Sequence, residues 1–261
     1  MTPLTRTVAL PAALLVAGGL LAVGLPAASS EAGTTTLCNS QTAAVDGGAY
    51  TVQNDEWGSS APECITTNGK AEFRVTNSSI ANGKKGSPGG YPDIYKGCNY
   101  GSCTSGSGLP IRASKIHART VTTSWSTSQP GGRNIYNAAY DIWFNKTSTT
   151  SGQANGAELM VWLNRRGHKH PYGRQVATNV RVGGHRYNVW FGNAHGFNTV
   201  TYTMTSGVRS VRLDLRPLEA NAVGRGYIKR WWYLISVEAG FEVWQGGKGL
   251  ATKSFSVHVA G

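Results

Sequence analysis

The sequence predicts an all-β fold, an antiparallel sandwich or jelly roll in one domain, on three observations. Turn dipeptides rich in Gly and Asn recur along the chain, short alternating apolar and polar runs lie between them, and no linker or repeat divides residues 37–261. The composition agrees. Among 261 residues there are 34 Gly, 8 Trp and 11 Tyr, and only 15% are charged. That departs from the charge-rich, aromatic-poor signature of disorder and from the heptads of a coiled coil. Residues 33–261 suit a single β domain that can bury a core without metals or dense disulfides.

The first element reads as an export signal over residues 1–32. Residues 1–7 carry Arg6, residues 8–26 are apolar and small, and Ala27, Ala28 and Ala32 offer cleavage positions. The apolar run approaches the length of a membrane span. Pro11, Gly18, Gly19 and Pro26 weaken a helix there, however, and no basic stop-transfer cluster follows. A secreted, extracellular, monomeric protein that leaves the membrane after cleavage is expected. Its four cysteines fit an oxidising destination. Cys98 and Cys103 enclose only four residues, which leaves Cys38 for Cys64. A metal site would want paired C-x-x-C spacings or nearby His, and none is expected.

Turn chemistry continues at Asp46-Gly47-Gly48, Asn68-Gly69, Asn82-Gly83, Gly131-Gly132, Asn155-Gly156, Gly183-Gly184 and Gly246-Gly247. Strands are expected at 50–53, 71–75, 139–145, 157–164, 186–191, 200–204, 237–244 and 254–259. One segment, 213–223, reads as a short helix, with Leu215, Leu218 and Ala222 at helical spacing and Gly224 as its stop.

Strand parity points to a site. In 157–164, Leu159, Val161 and Leu163 share one face, and Glu158, Met160 and Trp162 the other. In 139–145, Tyr140, Ile142 and Phe144 oppose Asp141 and Trp143. In 237–244, Val237, Phe241 and Val243 oppose Glu238, Glu242 and Trp244. A solvent face would carry Lys, Thr and Ser. Carboxylates beside Trp and Met suggest a partly desolvated cleft, where a carboxyl can be tuned for proton transfer. Of the thirteen acidic residues, Glu31 lies at the signal boundary. Asp46, Glu63, Glu72, Asp93, Asp214 and Glu219 fall in turns, on unremarkable strands or near the helix. Asp55, Glu56, Asp141, Glu158, Glu238 and Glu242 remain. A carboxyl pair with aromatics that stack on pyranose faces is what glycoside hydrolysis needs, and a non-catalytic sandwich with buried ion pairs is the other reading of the parity.

Five stretches carry a family resemblance: YTVQNDEWG at 50–58, GGYPDIYKGC at 89–98, NAAYDIWF at 137–144, NGAELMVWLN at 155–164 and VEAGFEVWQGG at 237–247. Together with the rest of 37–261 they resemble actinomycete-type endoglucanases of glycoside hydrolase family 12. The resemblance implies a jelly roll of two bent antiparallel sheets with an open cleft for a β-1,4-glucan, and a cofactor-free retaining mechanism. It implies that Glu158 is the nucleophile, Glu242 the general acid/base and Asp141 the aspartate supporting Glu158. Trp57 and Trp162 match positions that contact sugar, and Met160 and Pro171 match cleft positions. Asp55 stands where the family commonly has Asn, and the loop RRGHKHPY at 165–172 is unusually basic. Those departures bear on substrate preference. A xyloglucan-specific endoglucanase is the alternative within the enzyme class, and a non-catalytic carbohydrate-binding sandwich the alternative outside it.

Net charge is +12, from 25 basic and 13 acidic residues. No nucleic-acid module accompanies it, so the reading is a solvated basic surface with mild attraction to anionic polymers and no nucleic-acid partner.

Overall fold

Alternating apolar residues make nearly every element here a strand. The computed structural model describes residues 33–84, 86–194 and 196–260, so the export signal lies outside the described residues. In chain order the first strands are β1 (Thr35–Cys38), β2 (Thr42–Val45), β3 (Tyr50–Gln53), β4 (Glu63–Thr67), β5 (Phe73–Ser78), β6 (Asp93–Asn99), β7 (Ser102–Cys103) and β8 (Ile111–Arg112). A helical turn, α1 (Ala113–Ile116), leads into β9 (Thr120–Ser128), β10 (Ile135–Asn145), β11 (Ala157–Arg166), β12 (Arg174–Val182), β13 (His185–Ala194), β14 (Phe197–Met204) and β15 (Ser210–Asp214). Helix α2 (Leu215–Gly224), β16 (Tyr233–Gly240), β17 (Val243–Gln245) and β18 (Ala251–Ala260) complete the chain.

Two sheets result. The smaller runs β1-β4-β5-β18-β9-β15, and the larger runs β12-β13-β14-β11-β10-β16-β6-β3-β2, with β17 on β10, β7 on β6 and β8 on β16. The core lies between them. Tyr140, Ile142, Leu159, Val161 and Val237 from the larger sheet meet Val75, Trp125, Phe255 and Val257 from the smaller. Trp125 is its centre: fully buried, it makes an edge contact with Tyr140 at 5.3 Å and donates its indole N–H to Thr252 Oγ1 at 2.9 Å. Truncating such a residue costs about 3–5 kcal/mol.

The expected antiparallel pattern has one exception, because β11 and β14 pair in parallel. Residues 167–173 carry the chain from the end of β11 past the positions of β14 and β13 to the start of β12. Two reversals later, β14 arrives beside β11 in the same direction. The first of those reversals is the Gly183-Gly184 turn, with φ of 55° and 86°, between the paired residues Val182 and His185. Positive φ at both central positions is what a tight hairpin of this hand requires.

Helix α2 starts two residues later than the pattern predicts. Asp214 accepts from the Arg216 N–H at 3.0 Å and so caps it, and Leu215, Leu218 and Ala222 face the core. The strand expected at 237–244 is broken at Phe241 and Glu242, whose neighbours belong to β16 and β17. Parity survives the break, since Ala139 faces Gly240 and Tyr136 faces Val243 in one continuous register along β10. Phe241 and Val243 are fully buried in the core, which leaves Glu242 on the opposite face.

Both disulfides form as the spacing predicts, Cys38–Cys64 across β1 and β4 and Cys98–Cys103 across β6 and β7. The first ties a sheet edge over a sequence separation of 26. Replacing Cys38 and Cys64 together by Ser should lower unfolding stability by about 2–4 kcal/mol, read from the denaturant midpoint, while replacing Cys98 and Cys103 should cost less because their loop is short.

Candidate active site

The face of the larger sheet turned away from the core carries the carboxyls, and the ladder registers set their positions. Asp141 on β10 faces Met160 on β11 and Glu238 on β16, and Trp143 faces Glu158 and Ser236. Glu238 in turn faces Tyr95 on β6, and Asp93 on β6 faces Gly240. Glu242 follows β16 and lies opposite Asn137. Asn137 is fully buried and grips it three times: its Nδ2 donates to Glu242 Oε2, its Oδ1 accepts from the Glu242 N–H at 3.0 Å, and its own N–H donates to Glu242 O at 3.1 Å. Asp141 thus lies between Glu158 and Glu242 along β10.

Asp141, Glu158, Glu238 and Glu242 line a cavity of about 630 Å³, with Asp55, Tyr91, Trp143, Phe197 and the exposed rings of Trp57 and Tyr100. The sheet therefore brings Glu158, Glu242, Asp141, Asp55 and Trp57 together. It does not bring Met160, Trp162 or Pro171 onto this wall. Met160 and Trp162 are buried in a small apolar cluster with Ile135, Ala139 and Trp244, and Pro171 is buried in the loop after β11. Trp162 borders a separate groove with Asn164, Asn188 and Thr203. Of the other tryptophans, Trp125 is core and Trp143 is cleft, while Trp190 lies beside the His170 ring at 5.6 Å.

Burial dominates the electrostatics. It raises Glu158 to about 8, with the charge of Glu242 adding to the rise and the Thr199 hydroxyl, which donates to Glu158 Oε2 at 3.1 Å, opposing it. Burial raises Glu242 to about 7, against the Asn137 amide and the Lys169 ammonium, which both favour its charged form. Asp141 is pushed well above the carboxylate range by burial and by Glu158, Glu242, Glu238 and Asp93. Carboxyls this close do not all ionise, and the protons leave Glu158 and Glu242 in steps that belong to the pair.

Glu238 accepts from Ser236 Oγ at 2.8 Å, Trp143 Nε1 at 3.2 Å and Asn99 Nδ2 at 3.3 Å. Three donors tie it into the wall, as expected of a supporting carboxylate. Asp55, held at φ 38°, is raised to about 6 by burial and adds to the rise of Glu238 and Asp93. It therefore lies beside the central carboxyls.

Sequence reasoning passed over three contributors. Asp93 and Glu63, read as unremarkable, are fully buried. Asp93 Oδ2 accepts from Gln53 Nε2 at 2.8 Å, and burial with the Glu238 and Asp55 charges pushes its carboxyl well above the ordinary range. Burial raises Glu63 to about 8; the nearby Ser78 hydroxyl opposes this without reaching hydrogen-bond geometry, and Glu56 adds to it. The third is Lys169, from the basic loop. Its Nζ donates to Gly86 O at 2.8 Å and sits 4.8 Å over the Trp244 ring, beside Glu242. The oddity of that loop was visible in sequence, but its reach to Glu242 was not.

The sequence model of Glycosyl hydrolase family 12 matches residues 48–260. The chain belongs to that family. As a family 12 member it is a glycoside hydrolase, so the alternative of a non-catalytic binding sandwich falls away. It is 30% identical to a probable cellulase of Mycobacterium tuberculosis over 59% of this chain and 99% of that one. Among solved structures, an endoglucanase from Rhodothermus marinus superposes with a TM-score of 0.81 at 41% identity, covering 86% of this chain and 98% of that one. A family 12 xyloglucanase from Bacillus licheniformis superposes at 0.77 with 27% identity, covering 86% and 100%.

Two measurements test this electrostatic picture. Removing the Lys169 charge by Lys169→Met should move the Glu242 titration above about 7, followed by carbon NMR of the labelled carboxyl; a downward move contradicts the contact. Glu63 is raised in the folded protein from 4.5 to about 8, so the native state binds a proton the unfolded chain releases, and stability falls as pH rises through that window. Glu63→Gln should flatten the decline by up to ~1.4 kcal/mol per pH unit, leaving the variant more stable than wild type at the alkaline end and little changed at the acid end.

Proposed function

We propose that this chain is an endo-β-1,4-glucanase that hydrolyses internal bonds of cellulose and β-glucan by retaining double displacement. The observation that carries the reading is that Glu158 and Glu242 are buried side chains on the wall of one cavity, close enough for the charge of Glu242 to raise Glu158. The reaction starts from one carboxylate and one carboxylic acid. The ionised Glu158 attacks the anomeric carbon while Glu242 gives its proton to the leaving oxygen. Water then resolves the glycosyl-enzyme, with Glu242 as base.

Asp141, set between the two along β10 and electrostatically coupled to both, is the group proposed to support Glu158, and the Thr199 hydroxyl donates to Glu158 Oε2. The exposed Trp57 face stacks on sugar at one end of the cavity, and that remote binding supports distortion at the scissile ring. Asp55 beside it, Met160, Trp162 and Pro171 are proposed as further cleft positions. The last three would act from beneath or beside the cavity, through the apolar cluster and the loop after β11. Higher identity to the Rhodothermus marinus endoglucanase than to the Bacillus licheniformis xyloglucanase supports unsubstituted β-glucan as the preferred substrate. Initial rates on cellulose derivative, mixed-linkage glucan, xyloglucan and xylan decide between these two. Export is part of the proposal: two disulfides support an oxidising, extracellular destination, and no further partner is needed for the chemistry.

The stereochemical outcome tests both glutamates together. The first-formed reducing end should be the β-anomer by NMR before mutarotation, because a retaining site sets its carboxyls only ~5–5.5 Å apart with no water between. Glu158→Ala should abolish turnover, with azide restoring part of it in the nucleophile's place. Glu242→Ala should lose at least ~100-fold on polymer and much less on activated aryl glycosides, which need little proton assistance. An initial α-anomer removes Glu158 from the nucleophile role, and normal polymer hydrolysis by Glu242→Ala moves the acid to another carboxyl.

A further inference from the structure

The distribution of charge on this molecule is lopsided. Asp55, Asp141, Glu158, Glu238 and Glu242 line the cleft, and Glu63, Asp93 and Glu219 are buried. Among the described residues, the ion pairs are Arg216 with Asp214 and His117 with Glu219. The remaining described lysines and arginines make no ion pair with a carboxylate.

One groove gathers several of these cations. It encloses about 510 Å³ between the loop before β10, the end of β11 and the loop that holds Lys84. Lys84, Arg133, Arg165 and Arg166 line it, all exposed, and no carboxylate does. Two of the guanidinium groups are already fixed in place. Arg166 Nε donates to Gly132 O at 3.0 Å, and Arg165 Nη1 donates to Lys169 O. A guanidinium has five N–H donors in a planar fork, so most remain available to a ligand. Carboxylate is the partner that fork fits.

The position of the groove gives it a role. Ile135 and Gln245, which face each other across β10 and β17, are both on its wall. Gln245 is three residues beyond Glu242, so the groove begins ~10 Å from the acid, at ~3.3 Å per strand residue. Glu242 also lines the large cavity that Trp57 borders, so a glucan that continues from that cavity past the acid along β17 carries its substituents toward the cations.

We propose that this groove binds carboxylate substituents on the leaving-group portion of a β-glucan, giving the enzyme a preference for acidic chains, uronate- or carboxymethyl-bearing, over neutral ones. The proposal rests on the reading of Glu242 as the acid. It separates this groove from the sugar-stacking cavity: one end of the cleft recognises rings by aromatic contact, and the other recognises charge. Because the cations are exposed, their effect is screened by salt.

The experiment compares Michaelis constants for carboxymethylcellulose and for neutral mixed-linkage β-glucan, in wild type and in Lys84→Glu/Arg133→Glu, at low salt. Reversing two charges should raise the ratio of the two constants about tenfold, and taking wild type to about 0.5 M salt should raise it in the same direction. A ratio within about twofold of wild type overturns the proposal, as does a salt effect equal on both polymers. Should the reversed variant fail to fold, as read by its unfolding midpoint, Lys84→Gln/Arg133→Gln must move the ratio in the same direction by a smaller factor, and no movement overturns it. The two readings fail separately. Wild type inactive on both polymers sinks the glucanase assignment, whereas wild type active on both with an unmoved ratio in the variant sinks the groove alone.

Discussion

Holding several carboxyls out of water on one face of a sheet is the constraint around which this structure is organised. An isolated buried carboxylate is costly, so each of these groups either keeps its proton or is held by donors. Burial pushes Asp141 and Asp93 toward the protonated form. Glu238 and Glu242 are raised as well, and donors hold them in addition: Ser236, Trp143 and Asn99 for one and the Asn137 clamp for the other. Asn137 couples that clamp to the backbone: the strand breaks at Glu242, and the side chain supplies bonds that a regular ladder would have made. The break aims the acid, and the clamp keeps it aimed.

The apolar core makes that arrangement rigid. Strand β10 is buried on almost every residue, with Tyr140, Ile142 and Phe144 in the inter-sheet core and Asn137, Ala139 and Asp141 beneath the cleft. It pairs with β11 on one side and β16 and β17 on the other, so the strands bearing Glu158 and Glu242 are both registered against it. A slip of one residue would turn a carboxyl into the core and a core side chain into the cleft. Catalytic spacing and core packing therefore rest on the same register.

Charge outside the cleft follows from the same allocation. With the acidic side chains drawn into the site and the core, the outer surface is left cationic, and one loop turns that excess inward. Lys169 crosses to Trp244 and Glu242, where its charge favours the ionised acid, while Arg165 on the same loop braces it by bonding to Lys169 O. The basic character of residues 165–172 is thus part of the site.

Much of this was legible in the order of residues. Alternation has a period of two, so the faces of Glu158, Met160 and Trp162, and of Glu238 and Glu242, could be read without knowing which strands pair. The turn at Gly183-Gly184 and the Cys98–Cys103 disulfide are equally local, set by φ preferences and spacing. What the sequence could not decide was what lies across from each face. Asp93 and Glu63 look ordinary because burial is a property of the packed sheets, and nothing adjacent in the chain announces it. Met160 and Trp162 share the catalytic face yet lie out of the main cavity, buried with Ile135, Ala139 and Trp244, whose ring Lys169 covers. The parallel pairing of β11 with β14 likewise needs the whole β12–β13–β14 meander. Local sequence determined which side chains point to the same side of a strand; only the tertiary structure decided which of them lose their water, since desolvation depends on neighbours that the chain brings in from far away.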